Sequence, residues 1–162
     1  MTREEKAAAS RKTILYVDDD RLLLTLCCDV LEDHGYRTVI ATDGPSGIAA
    51  AKSVRPDLIL LDVMMPGMDG YEVCRRLRAD PALRDTPIIL LTAMQDLRLD
   101  AKGRKAGATL SMRKDFGSTE IVIILEQVLS PTGPASQEGG PGHDNRGTGP
   151  AGSAHTRHEG RS

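Results

Sequence analysis

Residues 56–81 read PDLILLDVMMPGMDGYEVCRRLRADP and contain one strand, one loop and one helix in succession. Leu58–Leu61 is solidly apolar rather than alternating, which is typical of a strand buried on both faces of a sheet. Asp62 closes that run, and a Pro-Gly turn follows four residues later. Tyr71–Ala79 is compatible with a helix that stops before the next Asp-Pro pair. A buried strand followed by a helix indicates a parallel sheet covered by helices.

Four further apolar runs extend this pattern in both directions along the chain. The runs are Ile14–Val17, Thr38–Ala41, Ile88–Leu91 and Thr109–Met112. The segments compatible with helices are Arg21–His34, Pro45–Val54, Asp96–Ala106 and Ser118–Leu129. Five strand–helix units in this order predict a doubly wound α/β fold with a five-stranded parallel sheet. Ligands of such sheets bind at the carboxyl ends of the strands, near the switch in strand order.

The folded domain is predicted to span residues 12–130, between a polar N-terminal extension at 1–11 and a tail at 131–162. The tail holds 8 Gly and 4 Pro in 32 residues, so it cannot bury enough apolar surface to offset its ordering entropy. It is predicted to be disordered. Its His143, His155 and His158 are irregularly spaced, which favours a solvated tail over a metal site.

Composition excludes several classes of function. The 21 basic and 23 acidic residues nearly balance, and three Tyr, one Phe and no Trp offer few surfaces for base stacking. No direct contact with nucleic acid is therefore expected. The N-terminus is too polar for a secretion signal, and no apolar run is long enough to span a bilayer. Three cysteines, two of them adjacent, fit reduced thiols in a cytoplasmic protein.

Polar residues follow the predicted strands where a ligand would bind. They are Asp18, Asp19 and Asp20 after the first strand, Asp62 at the third, Thr92 and Ala93 after the fourth, and Lys114 after the fifth. Carboxylates from two neighbouring strands repel one another unless a cation joins them, and such an all-oxygen site suits Mg²⁺. The hydroxyl of Thr92 and the charge of Lys114 suit the oxygens of a phosphoryl group. Asp62 would then be the nucleophile that forms an aspartyl phosphate.

Each of these residues also has a purely structural interpretation. Asp19 or Asp20 can cap the first helix, and Thr92 can cap the fourth. Asp62 can be a turn residue, and most lysines are simply solvated. The four positions, each at the end of a different predicted strand, together favour the phosphoryl-transfer site.

Residues 12–129 resemble the receiver domain family of two-component response regulators, of the stand-alone type found in chemotaxis. The motifs that carry the resemblance are ILYVDDD at 14–20, the whole of 56–81, TPIILLTA at 86–93, and Lys114-Asp115-Phe116. The resemblance implies a flavodoxin-like (βα)₅ fold with strand order 2-1-3-4-5. It also implies a signalling protein that catalyses only its own phosphorylation and dephosphorylation.

Site roles follow from the same resemblance. Asp62 is the phosphoacceptor, and Asp18, Asp19, Asp62 and the backbone carbonyl of Met64 bind Mg²⁺. Thr92 is the switch hydroxyl, the amide of Ala93 holds the phosphoryl group, and Lys114 contacts it. The phosphoryl donor would be a histidine kinase or a histidine phosphotransfer protein. Since no output domain is visible after Ser130, the effect is expected to pass through a protein partner.

Three departures from the family pattern fall on the output side. Ser111 stands where the family has an aromatic residue that moves with the switch hydroxyl. Asp115 replaces a proline that often follows a cis peptide, and a non-proline cis bond costs about 3 kcal/mol. A trans loop is expected to move Lys114, and Asp115 adds a negative charge beside it. Gly103 weakens the fourth helix by about 1 kcal/mol relative to Ala. Altered signalling output is therefore expected.

Two smaller features also carry predictions. The last helix has one apolar stripe for the sheet, formed by Ile121, Ile124, Leu125 and Val128, and Val122 and Leu129 form a second stripe. The second stripe is interpreted as a homodimer or partner surface, with shielding by a neighbouring segment as the alternative. The resemblance to receivers implies that the positions of Met64 and Met94, two residues after Asp62 and Thr92, tune hydrolysis of the aspartyl phosphate. Neither Met can orient an attacking water, so slow self-dephosphorylation is predicted.

Two other functions stay open. Asp18-x-Asp20 also matches the start of a haloacid-dehalogenase-type phosphatase motif, in which Asp18 would be the nucleophile. Alternatively, the changes at Ser111 and Asp115 fit a degenerate receiver that acts as an interaction module without phosphorylation. A flavin-binding function is weaker, because no phosphate-binding loop follows the first strand.

Overall fold

The computed structural model describes residues 1–93, 99–115 and 117–130. The described strands are β1 (Thr13–Val17), β2 (Arg37–Ala41), β3 (Leu58–Asp62), β4 (Ile88–Thr92) and β5 (Leu110–Arg113). They form one sheet in the order β2-β1-β3-β4-β5, and all four neighbouring pairs are parallel. The predicted fold class and strand order are confirmed.

The described helices lie between these strands and at the two ends. They are α1 (Arg3–Ala9), α2 (Arg21–Asp33), α3 (Gly44–Val54), α4 (Gly70–Ala79), α5 (Leu99–Ala106) and α6 (Ser118–Leu129), with a 3₁₀ turn at Pro81–Leu83. Asp20, Asp43 and Asp69 each cap a helix by accepting hydrogen bonds from backbone N–H groups of its first turn. These caps explain why α3 and α4 begin one residue before the apolar pattern predicted.

The three central strands are buried on both faces because alternate side chains enter two separate cores. Odd residues of β1, such as Leu15, pack with α3, α4 and α5, and even residues, such as Ile14, pack with α2 and α6. The edge strands β2 and β5 are more exposed. This difference explains why the first, third and fourth runs are solidly apolar, whereas the others contain polar residues.

α1 is an element that the sequence interpretation did not include. It lies in the polar extension and begins with a capping box, in which the Thr2 side chain accepts from the Glu5 N–H and Glu5 accepts from the Thr2 N–H. A Thr followed three residues later by Glu is the sequence signal for this arrangement.

α6 buries more of its surface than a single stripe. Ile121 and Leu125 are fully buried on the sheet as predicted, but Val122 is only 4% exposed and Leu129 packs against the same core. The interpretation of Val122 and Leu129 as an exposed contact surface is therefore wrong. Their own domain buries Val122 and partly buries Leu129, and Ile123, at 49% exposed, is the large apolar residue that α6 presents to solvent.

The described residues test some of the remaining predictions and not others. Cys27, Cys28 and Cys74 are free thiols, as expected. No helix among the described residues is long and apolar enough to cross a membrane. The tail at 131–162 with its three histidines, the start of the fourth predicted helix, and Met94 lie outside the described residues.

Candidate functional site

The strand register brings the predicted polar residues to one edge of the sheet. Val17 pairs with Leu61, Asp62 with Leu91, and Thr92 with Arg113, so the carboxyl ends of four strands are level. Asp18 directly follows β1 and Asp62 is the last residue of β3. Both have even numbers, so they share the side of the sheet that faces α2 and α6. Two acidic side chains from neighbouring strands are thereby directed to the same place.

Three carboxylates form a cluster at this edge. Asp18, Asp19 and Asp62 each offer an oxygen, and these oxygens lie within 4.8 Å of one another. Asp18 is fully buried, Asp62 is 2% exposed, and Asp19 faces solvent. The neighbouring Asp20 does not join the cluster, because its carboxylate accepts the N–H groups of Leu22 and Leu23 as the cap of α2.

Lys114 lies between the two buried carboxylates. Its Nζ is 2.6 Å from Asp18 Oδ2 and 3.1 Å from Asp62 Oδ1. The Lys114 N–H donates to the Thr92 carbonyl at 2.8 Å, which fixes the chain directly after β5. Burial lowers the pKa of Lys114, but the hydrogen bond and charge of Asp18, together with Asp62, raise it above its ordinary value overall. Lys114 therefore carries its charge at neutral pH.

Asp62 differs strongly from an ordinary aspartate. Burial and the nearby charge of Asp18 raise the pKa of Asp62 to about 7, against the opposing effect of Lys114. One of its oxygens also accepts the Met64 N–H at 3.2 Å. A buried carboxylate with a like charge beside it needs additional positive charge to stay ionised.

The oxygen donors of this cluster fit a magnesium ion. Mg²⁺ binds a few carboxylates together with waters and a phosphate oxygen. Asp18, Asp19 and Asp62 supply such carboxylates, with oxygens that lie within 4.8 Å of one another. The predicted ligand role of the Met64 carbonyl stays a prediction.

Thr92 and Ala93 occupy the next strand end. Thr92 is the last residue of β4 and is buried, whereas Ala93 is exposed directly after it. The structure thus brings both to the edge that holds the carboxylates. Their roles as switch hydroxyl and phosphoryl-binding amide stay predictions.

The departure from the family pattern at Asp115 does not displace Lys114. No cis peptide occurs among the described residues, and Lys114 nevertheless reaches Asp18 and Asp62. The expected displacement of Lys114 is therefore wrong. Asp115 pairs instead with Arg113, with 2.5 Å between Arg113 Nη2 and Asp115 Oδ2, on the solvent side. Its negative charge is directed to Arg113 rather than to the site.

Tyr16 is a site residue that the sequence interpretation missed. Its side chain is fully buried, and its hydroxyl donates to Asp18 Oδ2 at 3.2 Å. Within an apolar strand a tyrosine is readily taken for a core residue. The sequence signal was the spacing of Tyr16 and Asp18, since residues two apart on a strand share one face of the sheet.

Comparisons with known proteins identify the family of the fold that carries this site. The family described as response regulator receiver domain matches residues 14–126. The DNA-binding response regulator MtrA of Mycobacterium tuberculosis strain H37Rv is 42% identical over 119 residues, which are 74% of this chain and 51% of the relative. The phosphate regulon transcriptional regulatory protein PhoB of Pseudomonas aeruginosa is 39% identical over 127 residues, 78% of this chain and 56% of that protein.

Solved structures resemble the fold over nearly their whole length. The chemotaxis protein CheY4 of Vibrio cholerae superposes with a TM-score of 0.71 at 31% identity, covering 74% of this chain and 99% of that one. The receiver domain of sensor histidine kinase PA1611 from P. aeruginosa has a TM-score of 0.67 at 33% identity, covering 74% and 98%. That structure has a magnesium ion coordinated in its active site cleft.

The relatives correct one prediction. The chain spans about half the length of MtrA and PhoB, and MtrA is named as a DNA-binding regulator. The expectation of no direct contact with nucleic acid is therefore wrong. Balanced charge and scarce aromatic residues describe this chain alone, and the DNA-binding function of such relatives is not readable from that composition.

Proposed function

The chain belongs to the response regulator receiver domain family, and from that premise we propose that Asp62 accepts a phosphoryl group from a histidine kinase or a histidine phosphotransfer protein. The family consists of signalling proteins rather than classical enzymes. The observation that carries the proposal is the position of Lys114, whose ammonium contacts both Asp62 and Asp18 in a cluster of three carboxylates.

The reaction is a displacement at phosphorus. An Asp62 carboxylate oxygen attacks the phosphorus of a phosphohistidine, the P–N bond breaks, and the imidazole nitrogen leaves with the electron pair and takes up a proton. The product is an acyl phosphate on Asp62. Asp62 must be ionised to attack, and its pKa of about 7 in the metal-free protein means that further positive charge favours the reactive form.

The surrounding residues hold the reacting groups in place. Asp18, Asp19, Asp62 and the Met64 carbonyl would hold Mg²⁺, which when bound supplies positive charge that neutralises the phosphoryl oxygens. Lys114 already lies 3.1 Å from Asp62, so it can form an ion pair with a phosphoryl oxygen after a small movement. The Thr92 hydroxyl and the Ala93 amide are donors for the remaining oxygens.

The signal would leave the domain through altered contacts of its surface. Movement of Thr92 toward the phosphoryl group would change the packing of β4 against β5, to which Thr92 is paired through Arg113. In a regulator with the layout of MtrA, that change would reach DNA through an effector domain. We further propose that the protein acts in the cytoplasm, where phosphohistidine donors of this kind operate.

Phosphorylation by a small donor tests the proposal directly. The protein is incubated with Mg²⁺ and acetyl phosphate, and its intact mass is measured with Asp62→Asn and an EDTA sample beside it. We expect a gain of one phosphoryl group that both controls lose. Asp115→Asn is the matched variant, because Asp115 lies near the site but pairs outward with Arg113, and it should keep the gain.

Other outcomes separate the alternatives. No gain in the unaltered protein would contradict the proposal and favour the degenerate interaction module. A gain that survives Asp62→Asn and is lost in Asp18→Asn would favour the phosphatase mechanism. Asp18 is poorly placed for that role, because both of its carboxylate oxygens already accept hydrogen bonds.

A further inference from the structure

Tyr16 brings a phenol hydroxyl into the acidic cluster, where the proposed chemistry gives it no part. It stands on β1, two residues before Asp18, and its side chain is fully buried in the core formed with α2 and α6. The hydroxyl donates to Asp18 Oδ2 at 3.2 Å. Tyr16 thus contacts a predicted metal ligand from below, on the side away from solvent.

Three donors identified among the described residues hold Asp18 at its two carboxylate oxygens. Oδ1 accepts the Asp20 N–H at 2.9 Å, and Oδ2 accepts the Tyr16 hydroxyl and the Lys114 ammonium, the latter at 2.6 Å. The backbone amide comes from the cap residue of α2, and the phenol comes from the rigid interior of β1. Two of the three donors are therefore fixed by the fold itself.

Of these three donors to Asp18, Lys114 is the one that also has a role in the proposed reaction. In the proposed reaction it contacts the phosphoryl group on Asp62, and its ammonium is already shared between Asp62 and Asp18. When Lys114 turns toward phosphoryl oxygens, its contact with Asp18 weakens. The Tyr16 hydroxyl is then the remaining side-chain donor on Asp18 Oδ2.

We propose that Tyr16 is a positioning residue, which keeps the Asp18 carboxylate oriented for binding Mg²⁺ while Lys114 serves the phosphoryl group. This inference rests on the proposed function. Groups that hydrogen-bond to a metal ligand orient it, and their loss commonly lowers metal affinity by about 10- to 100-fold. Tyr16 acts through Asp18 and does not touch the reacting atoms.

A tyrosine that only needs a hydrogen-bond acceptor would give the same static picture. Buried phenols usually find a partner, and a carboxylate is a suitable one. The two explanations differ in what happens to Asp18 when the hydroxyl is removed. Under the structural explanation the metal affinity is unchanged, and under the proposal it falls.

Mg²⁺ titration by calorimetry on the full chain tests the proposal without relying on phosphorylation. Tyr16→Phe removes one oxygen atom and keeps the ring in the core. We expect its Kd for Mg²⁺ to rise on the order of tenfold, with unchanged circular dichroism. Tyr36→Phe is the matched control, because Tyr36 borders the same core and is not a partner of Asp18, and it should bind as the unaltered protein does.

The part played by Lys114 needs a second comparison. In a Lys114→Met background the Tyr16→Phe change should raise the Kd by a larger factor than it does with Lys114 present, since the phenol is then the remaining side-chain donor on Asp18 Oδ2. An equal or smaller factor would overturn the idea that Tyr16 takes over from Lys114.

Failure of the inference is distinguishable from failure of the proposed function. Equal Mg²⁺ affinity in the unaltered protein and Tyr16→Phe, with binding abolished by Asp18→Asn, would overturn the inference alone. Absence of Mg²⁺ binding by the unaltered protein would overturn the proposed function and the inference with it.

Discussion

Without bound metal, Asp62 lowers the free energy of unfolding at neutral pH. Burial and the charge of Asp18 oppose ionisation of its carboxyl group. Its pKa is about 7 in the folded state, against roughly 3.9 in an unfolded chain. The unfolded state therefore releases this proton at lower pH than the folded state does. The stability associated with Asp62 is full below about pH 4 and is lost as the pH rises through about 7.

Asp62→Asn should therefore stabilise the protein, and more so at pH 8 than at pH 5. The expected gain in the free energy of unfolding at pH 8 is more than about 1 kcal/mol, since each unit of pKa difference corresponds to about 1.4 kcal/mol. Urea unfolding in EDTA at the two pH values measures it. Asp115→Asn is the control for loss of a nearby carboxylate. Equal gains at both pH values would contradict the argument.

We expect Met64 to lengthen the lifetime of the phosphorylated state. Its side chain is 56% exposed and lies two residues after Asp62, and a thioether is too weak an acceptor to orient water. Met64→Asn should speed hydrolysis of the aspartyl phosphate several-fold. The loss of the phosphoryl group is measured by intact mass over time. Met64→Leu should leave the rate unchanged, and identical rates in the two variants would refute the prediction. Met94, its counterpart beyond Thr92, lies outside the described residues.

The beginning of α4 lies against the end of β3, so these two elements position Asp62 together. The Gly70 N–H donates to the Val63 carbonyl at 2.9 Å. A Cβ at Gly70 would lie 2.3 Å from the Asp62 carbonyl oxygen and 2.8 Å from the Val63 Cα. Both are backbone atoms, which cannot rotate away.

Gly70→Ala should consequently move either α4 or the proposed phosphoacceptor, Asp62. We expect a loss of about 1–3 kcal/mol in the free energy of unfolding, and slower phosphorylation of the variant that still folds. Gly117→Ser is the control, because a Cβ there meets nothing within 4 Å and Ser can cap α6. If Gly70→Ala keeps full stability and full rate, α4 does not fix Asp62 as described.

α5 and β5 meet through two small residues that each depart from the family pattern. A Cβ at Gly103 would lie 2.1 Å from the Ser111 Oγ and 3.4 Å from the Ser111 Cβ. The glycine that weakens the helix thus makes room for the serine hydroxyl. The two departures that the sequence showed separately are one packing contact.

A double-mutant cycle tests this contact. In a Ser111→Ala background the Gly103→Ala change should stabilise the protein by up to about 1 kcal/mol, the usual helix preference for Ala over Gly. With Ser111 present the gain should be smaller or reversed, because the hydroxyl must rotate away. Thermal or urea unfolding of the four variants gives the coupling. The same effect in both backgrounds would show that the residues pack independently.

For the molecule as a whole, Mg²⁺ should act as a stabilising ligand. A ligand that binds the folded state alone adds about 2.7 kcal/mol at a concentration 100 times its Kd. For a domain of this size that corresponds to a rise of about 10 °C in Tm. Asp18→Asn should abolish the dependence on Mg²⁺, and an undiminished rise in that variant would place the ion elsewhere.

Much of the sheet and of the candidate site is predictable, because the local pattern of apolar and polar residues agrees with the fold of the whole chain. The apolar runs at β1, β3 and β4 indicate strands buried on both faces, and polar residues at their ends indicate the site. Burial of Val122 was not predictable, since periodicity does not say how wide a helix face the core covers. Tyr16 was missed for a related reason: an apolar strand conceals a hydroxyl that finds its partner only in the folded sheet.

Tyr16 also gives the protein an optical property. The chain contains three Tyr and no Trp, so its near-ultraviolet absorption and fluorescence come almost wholly from tyrosine. One of the three chromophores is hydrogen-bonded to a carboxylate of the metal cluster. Occupancy of that cluster should therefore alter the emission of the unlabelled protein, and the site carries its own spectroscopic probe.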